Sequence, residues 1–191
     1  MKKIMIITLS CVMMSLVSCD KIKEATSLDF NVNNVSFDFS TTVADNPSPM
    51  PAESASLRAT TATQTFSVTR TINISELGSD DAVKYANKIS NVAVSNSLIT
   101  IEASPAGSYT VENIKITADG VTGSPLNVPT FTIDGSFTFT TEMNKFTAAF
   151  IAKLLSAKSI SVTVSGTTNA PVGTTIDIYY KSNLVLTASL L

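Results

Sequence analysis

Alternation of apolar and polar side chains is the dominant pattern of this chain, and it predicts β-strands. The clearest example covers residues 66–74, where the even positions are apolar except Arg70 and most odd positions are Thr, Ser or Asn. Such alternation places the apolar side chains on one face of a half-buried strand. Arg70 is charged, so we expect it at the sheet margin with its aliphatic stem buried and its head in water.

Two further segments alternate on both sides of an interruption. In residues 28–39 the alternation of apolar and polar residues is interrupted at Asn33 and Asn34 and then resumes. In residues 109–117 the apolar positions shift parity near Glu112. One extra residue in a strand produces such a shift. We therefore predict two strands that each contain a bulge.

Two segments allow more than one arrangement of strands. Residues 92–101 fit either a hairpin around residues 95–97 or one kinked strand, and their change of parity does not decide between the two. Residues 176–188 are interpreted as a closing pair of strands joined around residues 181–183.

The segment TFTIDGSFTFT, residues 130–140, contains a typical two-residue hairpin signal at Asp134 and Gly135. A hairpin of that kind would mix apolar and polar side chains on both faces. A continuous strand, or a turn with an odd loop, keeps the large apolar residues on one face, and we prefer it. Those residues are Phe131, Ile133, Phe137 and Phe139.

Two segments have helical features. Ser79 is a predicted N-cap for a short helix with Asp80 and Asp81 in its first turn. A longer helix is predicted between an N-cap at Thr141 and Ser156, because its apolar residues recur at helical spacing. They are Met143, Phe146, Phe150, Ile151, Leu154 and Leu155.

The order of these elements predicts the fold class. About eight short strands separated by turns indicate a mainly all-β chain, an immunoglobulin-like β-sandwich with one crossover amphipathic helix and one short helix. A single domain is expected over residues 28–191. Residues 40–63 contain three prolines within five positions and few large apolar side chains, so we predict a flexible loop there.

The first residues have the layout of an export signal. Lys2 and Lys3 precede an apolar stretch over residues 4–17, which is too short for the roughly 20 residues of a membrane-spanning helix. We therefore predict a signal peptide over residues 1–18. Cleavage could follow a small residue and release the protein, or it could come immediately before a cysteine that receives lipid.

Leu16-Val17-Ser18-Cys19 distinguishes these outcomes. It resembles the lipobox of bacterial lipoproteins with a type II signal peptide. The resemblance implies a diacylglyceryl thioether on Cys19, which becomes the acylated N-terminus of the mature chain. Thr8-Leu9-Ser10-Cys11 is a poorer match, because threonine stands where the branched apolar residue is required.

The predicted lipid decides where the chain is expected to work. Residues 19–27 become a lipidated tether, and the protein is expected to be exported and anchored in the bacterial cell envelope. We expect the outer membrane, on its periplasmic or surface face. In some bacteria an aspartate at the position of Asp20 retains lipoproteins in the inner membrane, so the choice of membrane stays open.

Composition excludes several kinds of chemistry. Removal of the leader leaves 11 basic and 15 acidic side chains, a balance of −4, which argues against a nucleic-acid partner. The chain has no histidine, and its two cysteines are Cys11 in the leader and the lipidated Cys19. Histidine-dependent triads, thiol catalysis, thiolate metal sites and disulfides are therefore not expected. We predict no catalytic residue, no metal and no cofactor, and hence no enzyme.

The function is expected to be structural or to involve a protein partner. The order of the elements, with a VSGT turn at residues 164–167 followed by NAPVGTTIDIYYKSNLVLTASLL, resembles small and mostly uncharacterised β-sandwich lipoproteins of diderm bacteria over about the last hundred residues. That resemblance implies the fold and no activity. The alternative is a surface lipoprotein that binds a glycan or peptide. Tyr179 is its candidate residue, because its parity is opposite to that of Tyr180 and places it on the outer face.

Overall fold

Strands account for most of the described chain. The computed structural model describes residues 26–44, 63–133 and 135–190. The signal peptide, Cys19 and residues 45–62 of the predicted loop lie outside the described residues. Nine strands are present in the described part, compared with the eight or so predicted. They are β1 (Ser27–Thr42), β2 (Gln64–Asn73), β3 (Ile89–Ser104), β4 (Thr110–Ala118), β5 (Leu126–Val128), β6 (Phe131–Thr132), β7 (Ser136–Thr138), β8 (Ser159–Thr168) and β9 (Thr175–Ser189).

The strands form two antiparallel sheets. Sheet A has the order β1-β9-β3-β7, and sheet B has the order β2-β8-β4-β5 with β6 also paired to β4. The first and last strands pair along almost their whole length, from Ser27 opposite Ser189 to Thr42 opposite Thr175. The apolar faces of the two sheets form one core. The predicted all-β sandwich is confirmed.

The boundaries of two predicted segments shift by a few residues. β1 begins at Ser27, so this residue belongs to the fold and not to the predicted tether of residues 19–27. β1 also continues to Thr42, so the predicted loop of residues 40–63 begins too early. Phe39 remains buried and Thr41 and Thr42 remain paired to β9, because alternation continues past the last large apolar side chain.

Three strands each contain a bulge at which an asparagine has a positive φ angle. The residues are Asn34 in β1, Asn96 in β3 and Asn113 in β4, with φ values of 57°, 53° and 52°. Asparagine adopts the left-handed conformation more readily than most residues, so it suits an extra residue in a strand. The bulges predicted in the first and fourth strands are confirmed, and the open choice at residues 92–101 is resolved as one kinked strand.

The predicted closing pair of strands is wrong. Residues 175–189 form the single strand β9, which lies between β1 and β3. The positions interpreted as a turn continue the alternation without a change of parity, because Ser182 is only 2% exposed and faces the core. In the sequence, this polar residue at a core position was therefore interpreted as part of a turn.

Residues 130–140 form neither a hairpin nor one continuous strand. β6 pairs with β4 in sheet B, and β7 pairs with β3 in sheet A, so this segment passes from one sheet to the other. The large apolar residues still meet inside the sandwich. Ile133 and Phe139 are buried, and the rings of Phe131 and Phe137 stack with their centroids 6.1 Å apart.

Among the described residues, two α-helices accompany the strands, α1 (Asp80–Lys84) and α2 (Thr141–Ala157). Ser79 caps α1 as predicted, since its Oγ accepts a hydrogen bond from the backbone N–H of Ala82 at 3.2 Å. The cap of α2 is Thr140, one residue before the predicted Thr141. The apolar face of α2 packs mainly against β3 and also against β8, so the helix joins the two sheets along one side.

Arg70 joins the sheets along the other side. It lies at the margin as predicted, but its head is ion-paired instead of free in water. Nη1 donates a hydrogen bond to the backbone oxygen of Asp38 at 2.6 Å, and Nη2 pairs with the carboxylate of Glu76. Arg70 thereby connects the edge strand β2 of sheet B to the edge strand β1 of sheet A.

An aromatic cluster lies in the core beneath α2. The ring of Phe37 stacks on Tyr180 at 5.9 Å and meets Phe150 edge-on at 5.7 Å, and Phe139 lies 5.5 Å from Tyr180. A small apolar cavity of about 40 Å³ adjoins these rings. The Oη of Tyr180 lies 3.3 Å from Ser97 Oγ, so the phenol retains a polar partner inside the core.

Tyr180 should make the protein less stable at alkaline pH. Burial raises its pKa, and the hydrogen bond with Ser97 offsets only part of that increase. The unfolded tyrosine ionises near pH 10 while the folded one stays protonated. The contribution of Tyr180 is therefore complete below about pH 10 and is lost above it, at about 1.4 kcal/mol per pH unit.

The measurement is urea unfolding between about pH 9 and pH 11. Tyr180→Phe should reduce the decline of the unfolding free energy with pH. Tyr179→Phe should reduce it less, because solvent screens the outer face of sheet A. An equal reduction in the two variants would contradict the assignment to the buried phenol.

Candidate functional site

Tyr179 lies on the outer face of sheet A. It belongs to β9, where it is flanked by Asp38 on β1 and by Thr100 on β3. Its side chain is half-buried, and the following residue, Tyr180, points into the core. The prediction that the two tyrosines face opposite sides of the sheet is confirmed.

Three carboxylates surround Tyr179. Asp38 lies beside it, and Asp177 and Glu102 face each other in the next row of the same sheet face. Partial burial raises the pKa of the Tyr179 phenol, and the negative charges of Asp177, Glu102 and Asp38 raise it further. The phenol is therefore neutral at physiological pH. We call these four residues the acidic face.

The acidic face combines an aromatic ring, a hydroxyl donor and carboxylate acceptors on a sheet surface. These groups can form hydrogen bonds and van der Waals contacts with a partner. Within the described residues, no group of three or more His, Cys, Asp and Glu side chains is arranged to hold a metal ion.

The sequence indicated the members of this face but not their proximity. Asp177 and Tyr179 share a parity within one strand, and Asp38 stands between the core residues Phe37 and Phe39, so their outward direction could be inferred. Their assembly depends on which strands are neighbours and in which register. Alternation within a strand does not contain that information.

The two ends of the sandwich are built from different parts of the chain. The start of β1, the end of β9 and the start of β3 lie together, and we call this the N-terminal end. The opposite end contains the end of β1, the start of β9 and the end of β3 in sheet A, and the start of β2 and the end of β8 in sheet B, with Ala44 and Thr63 on either side of residues 45–62. A shallow groove of about 490 Å³ lies near it, and its lining includes the hydroxyl side chains of Thr42, Thr65 and Thr167.

The predicted lipidation residue, Cys19, lies outside the described residues. The described chain begins at Thr26, whose backbone oxygen accepts a hydrogen bond from the N–H of Leu190 at 2.7 Å. Residues 20–25 separate Cys19 from Thr26, the first described residue. In the described part of the chain, no helix is long and apolar enough to cross a membrane.

Comparisons with known proteins give no family assignment. No protein-family model matches this chain, and no curated protein matches it.

Proposed function

We propose that this chain is a lipid-anchored protein of the bacterial cell envelope, whose β-sandwich is a structural or protein-interaction module. The observation that carries the proposal is Leu16-Val17-Ser18-Cys19 directly after a basic start and a short apolar run. The same residues favour export followed by lipid attachment at Cys19. The outer membrane is the proposed location.

The chemistry of the anchor is consistent with permanent attachment. One acyl chain holds a protein to a bilayer only marginally, whereas two or more hold it stably. A cysteine that carries a diacylglyceryl thioether and an N-acyl group has three chains. A protein anchored in this way needs no membrane-spanning helix.

The fold supports the proposal through the position of its first strand. β1 begins at Ser27, and its partner β9 holds it along its whole length. Cleavage before Cys19 would therefore leave every described strand in place. The sandwich would follow the lipid after a spacer of only six residues.

Replacement of Cys19 with alanine tests the anchor. Cys19→Ala is expected to move the protein from the membrane fraction to the soluble fraction, because no thiol remains at the lipidation position. The measurements are detergent-phase partitioning and mass spectrometry of the N-terminal peptide, which should carry the acyl chains in the unaltered chain and lack them in Cys19→Ala.

Cys11→Ala is the matched control for this experiment. It removes the other cysteine of the leader and should leave both membrane attachment and acylation unchanged. Detergent-phase partitioning that survives Cys19→Ala would show that something other than this residue holds the protein at the membrane.

The module itself is proposed to present surface to a partner in the envelope. The acidic face offers hydrogen-bonding groups on three neighbouring strands, β1, β9 and β3. Glycan or peptide binding through Tyr179 stays a prediction. Sugar stacking needs an open aromatic ring, and the half-buried side chain of Tyr179 with its neighbouring carboxylates does not favour that alternative over the structural module.

A further inference from the structure

Exposed apolar side chains are concentrated at the N-terminal end of the sandwich. Of the five large apolar side chains that stand out into solvent among the described residues, three lie there. They are Leu28, Val83 and Leu190, with exposed fractions of 38%, 43% and 45%. Leu28 lies on β1, Leu190 directly follows the neighbouring strand β9, and Val83 lies on α1. Clusters of exposed apolar residues mark interaction or membrane surfaces.

Two aromatic residues connect these strands to α1. The ring of Phe30 on β1 lies 6.2 Å from the ring of Tyr85, which follows α1 directly. The Nζ of Lys84 lies 5.0 Å from the centre of the Tyr85 ring. Tyrosine and lysine have apolar bodies and polar tips, and such residues suit the boundary between lipid and water. We call Leu28, Phe30, Val83, Tyr85 and Leu190 the terminal apolar patch.

The spacer to Cys19 is short compared with the sandwich. Six residues separate Cys19 from Thr26, so a fully extended chain holds the two Cα atoms within about 25 Å of each other. β1 has 16 residues, and a strand of that length spans roughly 50 Å. A lipid on Cys19 therefore keeps the N-terminal end close to the bilayer.

The charges around the sandwich favour contact through this end. Lys84, Lys88 and Lys158 lie here with Asp29, Asp80 and Asp81, so charges of both signs are present at this end and apolar contact provides the attraction. If the domain instead lay flat on sheet A, the acidic face would approach the lipid head groups. Anionic head groups would repel its carboxylates.

We propose that the terminal apolar patch rests on the surface of the lipid bilayer and sets the orientation of the sandwich. This inference rests on the proposed anchoring through Cys19. The domain then stands on its N-terminal end, and the opposite end, to which residues 45–62 connect, faces away from the membrane. Partners would accordingly reach that end and the sides of the sandwich first.

Site-specific fluorescent labels test the orientation in the full chain after lipidation in a bacterial host. Because the proposed processing removes Cys11 and blocks the Cys19 sulfur, an introduced cysteine is the one free thiol. Val83→Cys places the label in the terminal apolar patch, and Leu190→Cys provides a second position there. Val172→Cys is the matched control, because this valine is 50% exposed and lies at the opposite end.

Each labelled protein is reconstituted into vesicles of phosphatidylethanolamine and phosphatidylglycerol, with and without bromine on the acyl chains. Bromine quenches a fluorophore only at short range. We expect brominated lipid to quench the labels at positions 83 and 190 and to leave the label at position 172 unchanged.

Vesicle flotation and acylation are measured on the same samples, which separates the two proposals. Protein that is acylated and floats with the vesicles, but shows equal quenching or no quenching at the three positions, would overturn the orientation and leave the anchor standing. Protein that carries no lipid and does not float would overturn the anchor, and the orientation with it.

Discussion

Replacing Phe37 with alanine is expected to lower the free energy of unfolding by about 3–5 kcal/mol. Phe37 is 2% exposed, and its ring contacts both Tyr180 from sheet A and Phe150 from α2. Removal of the ring takes away both contacts. It also enlarges the apolar cavity that Phe37 already lines, and rigid surroundings cannot fill such a space.

Urea unfolding monitored by circular dichroism measures this loss. Ser36→Ala is the matched control, because it removes a single oxygen atom from the preceding, outward-facing residue of β1. The control should change the unfolding free energy by no more than about 0.5 kcal/mol. A loss below about 1 kcal/mol for Phe37→Ala would mean that the aromatic cluster does not hold α2 on sheet A as described.

The inward direction of Phe37 illustrates what the sequence can predict. Strict alternation around it identified the core face of β1, and similar alternation identified the fold class and the bulges at Asn34 and Asn113. These features depend on one strand at a time. Side-chain direction has a period of two residues in any strand, so it can be read without knowledge of the neighbouring strands.

Features that depend on two strands at once were not predictable in the same way. β6 and β7 are three residues apart but belong to different sheets, although their apolar pattern suits one strand. The turn predicted within β9 was wrong for a related reason, because Ser182 is a polar residue at a core position. A buried hydroxyl and a turn hydroxyl look the same in a sequence, and only the surrounding strands distinguish them.

The same distinction between features of one strand and features of several strands applies to the candidate sites. The outward direction of Tyr179 followed from parity and is confirmed, whereas its three carboxylate neighbours come from three separate strands and needed the register of sheet A. The interpretation of Cys19 has a different basis, because a processing motif is recognised as linear sequence. Lipid attachment at Cys19 stays a prediction. It is compatible with the fold, because the first strand begins at Ser27, after the predicted cleavage position.

The second large loss of stability is expected for Leu154→Ala in α2, at about 2–5 kcal/mol. Leu154 is fully buried on the face of α2 that packs against β3 and β8. Alanine has a high helix propensity, so the substitution leaves the helix itself intact. The loss therefore measures the packing of α2 on the two sheets.

Lys153→Ala provides the matched control on the same helix. It gives the same new residue at the preceding, exposed position, so helix propensity changes little and no core contact is lost. Both variants are measured by urea unfolding, with the slope of the transition compared as well as its midpoint. A similar small effect in both would show that α2 is only loosely attached. A large loss confined to Leu154→Ala, with an unchanged slope, would show that α2 unfolds together with the sandwich, because the slope reports the surface exposed in the transition.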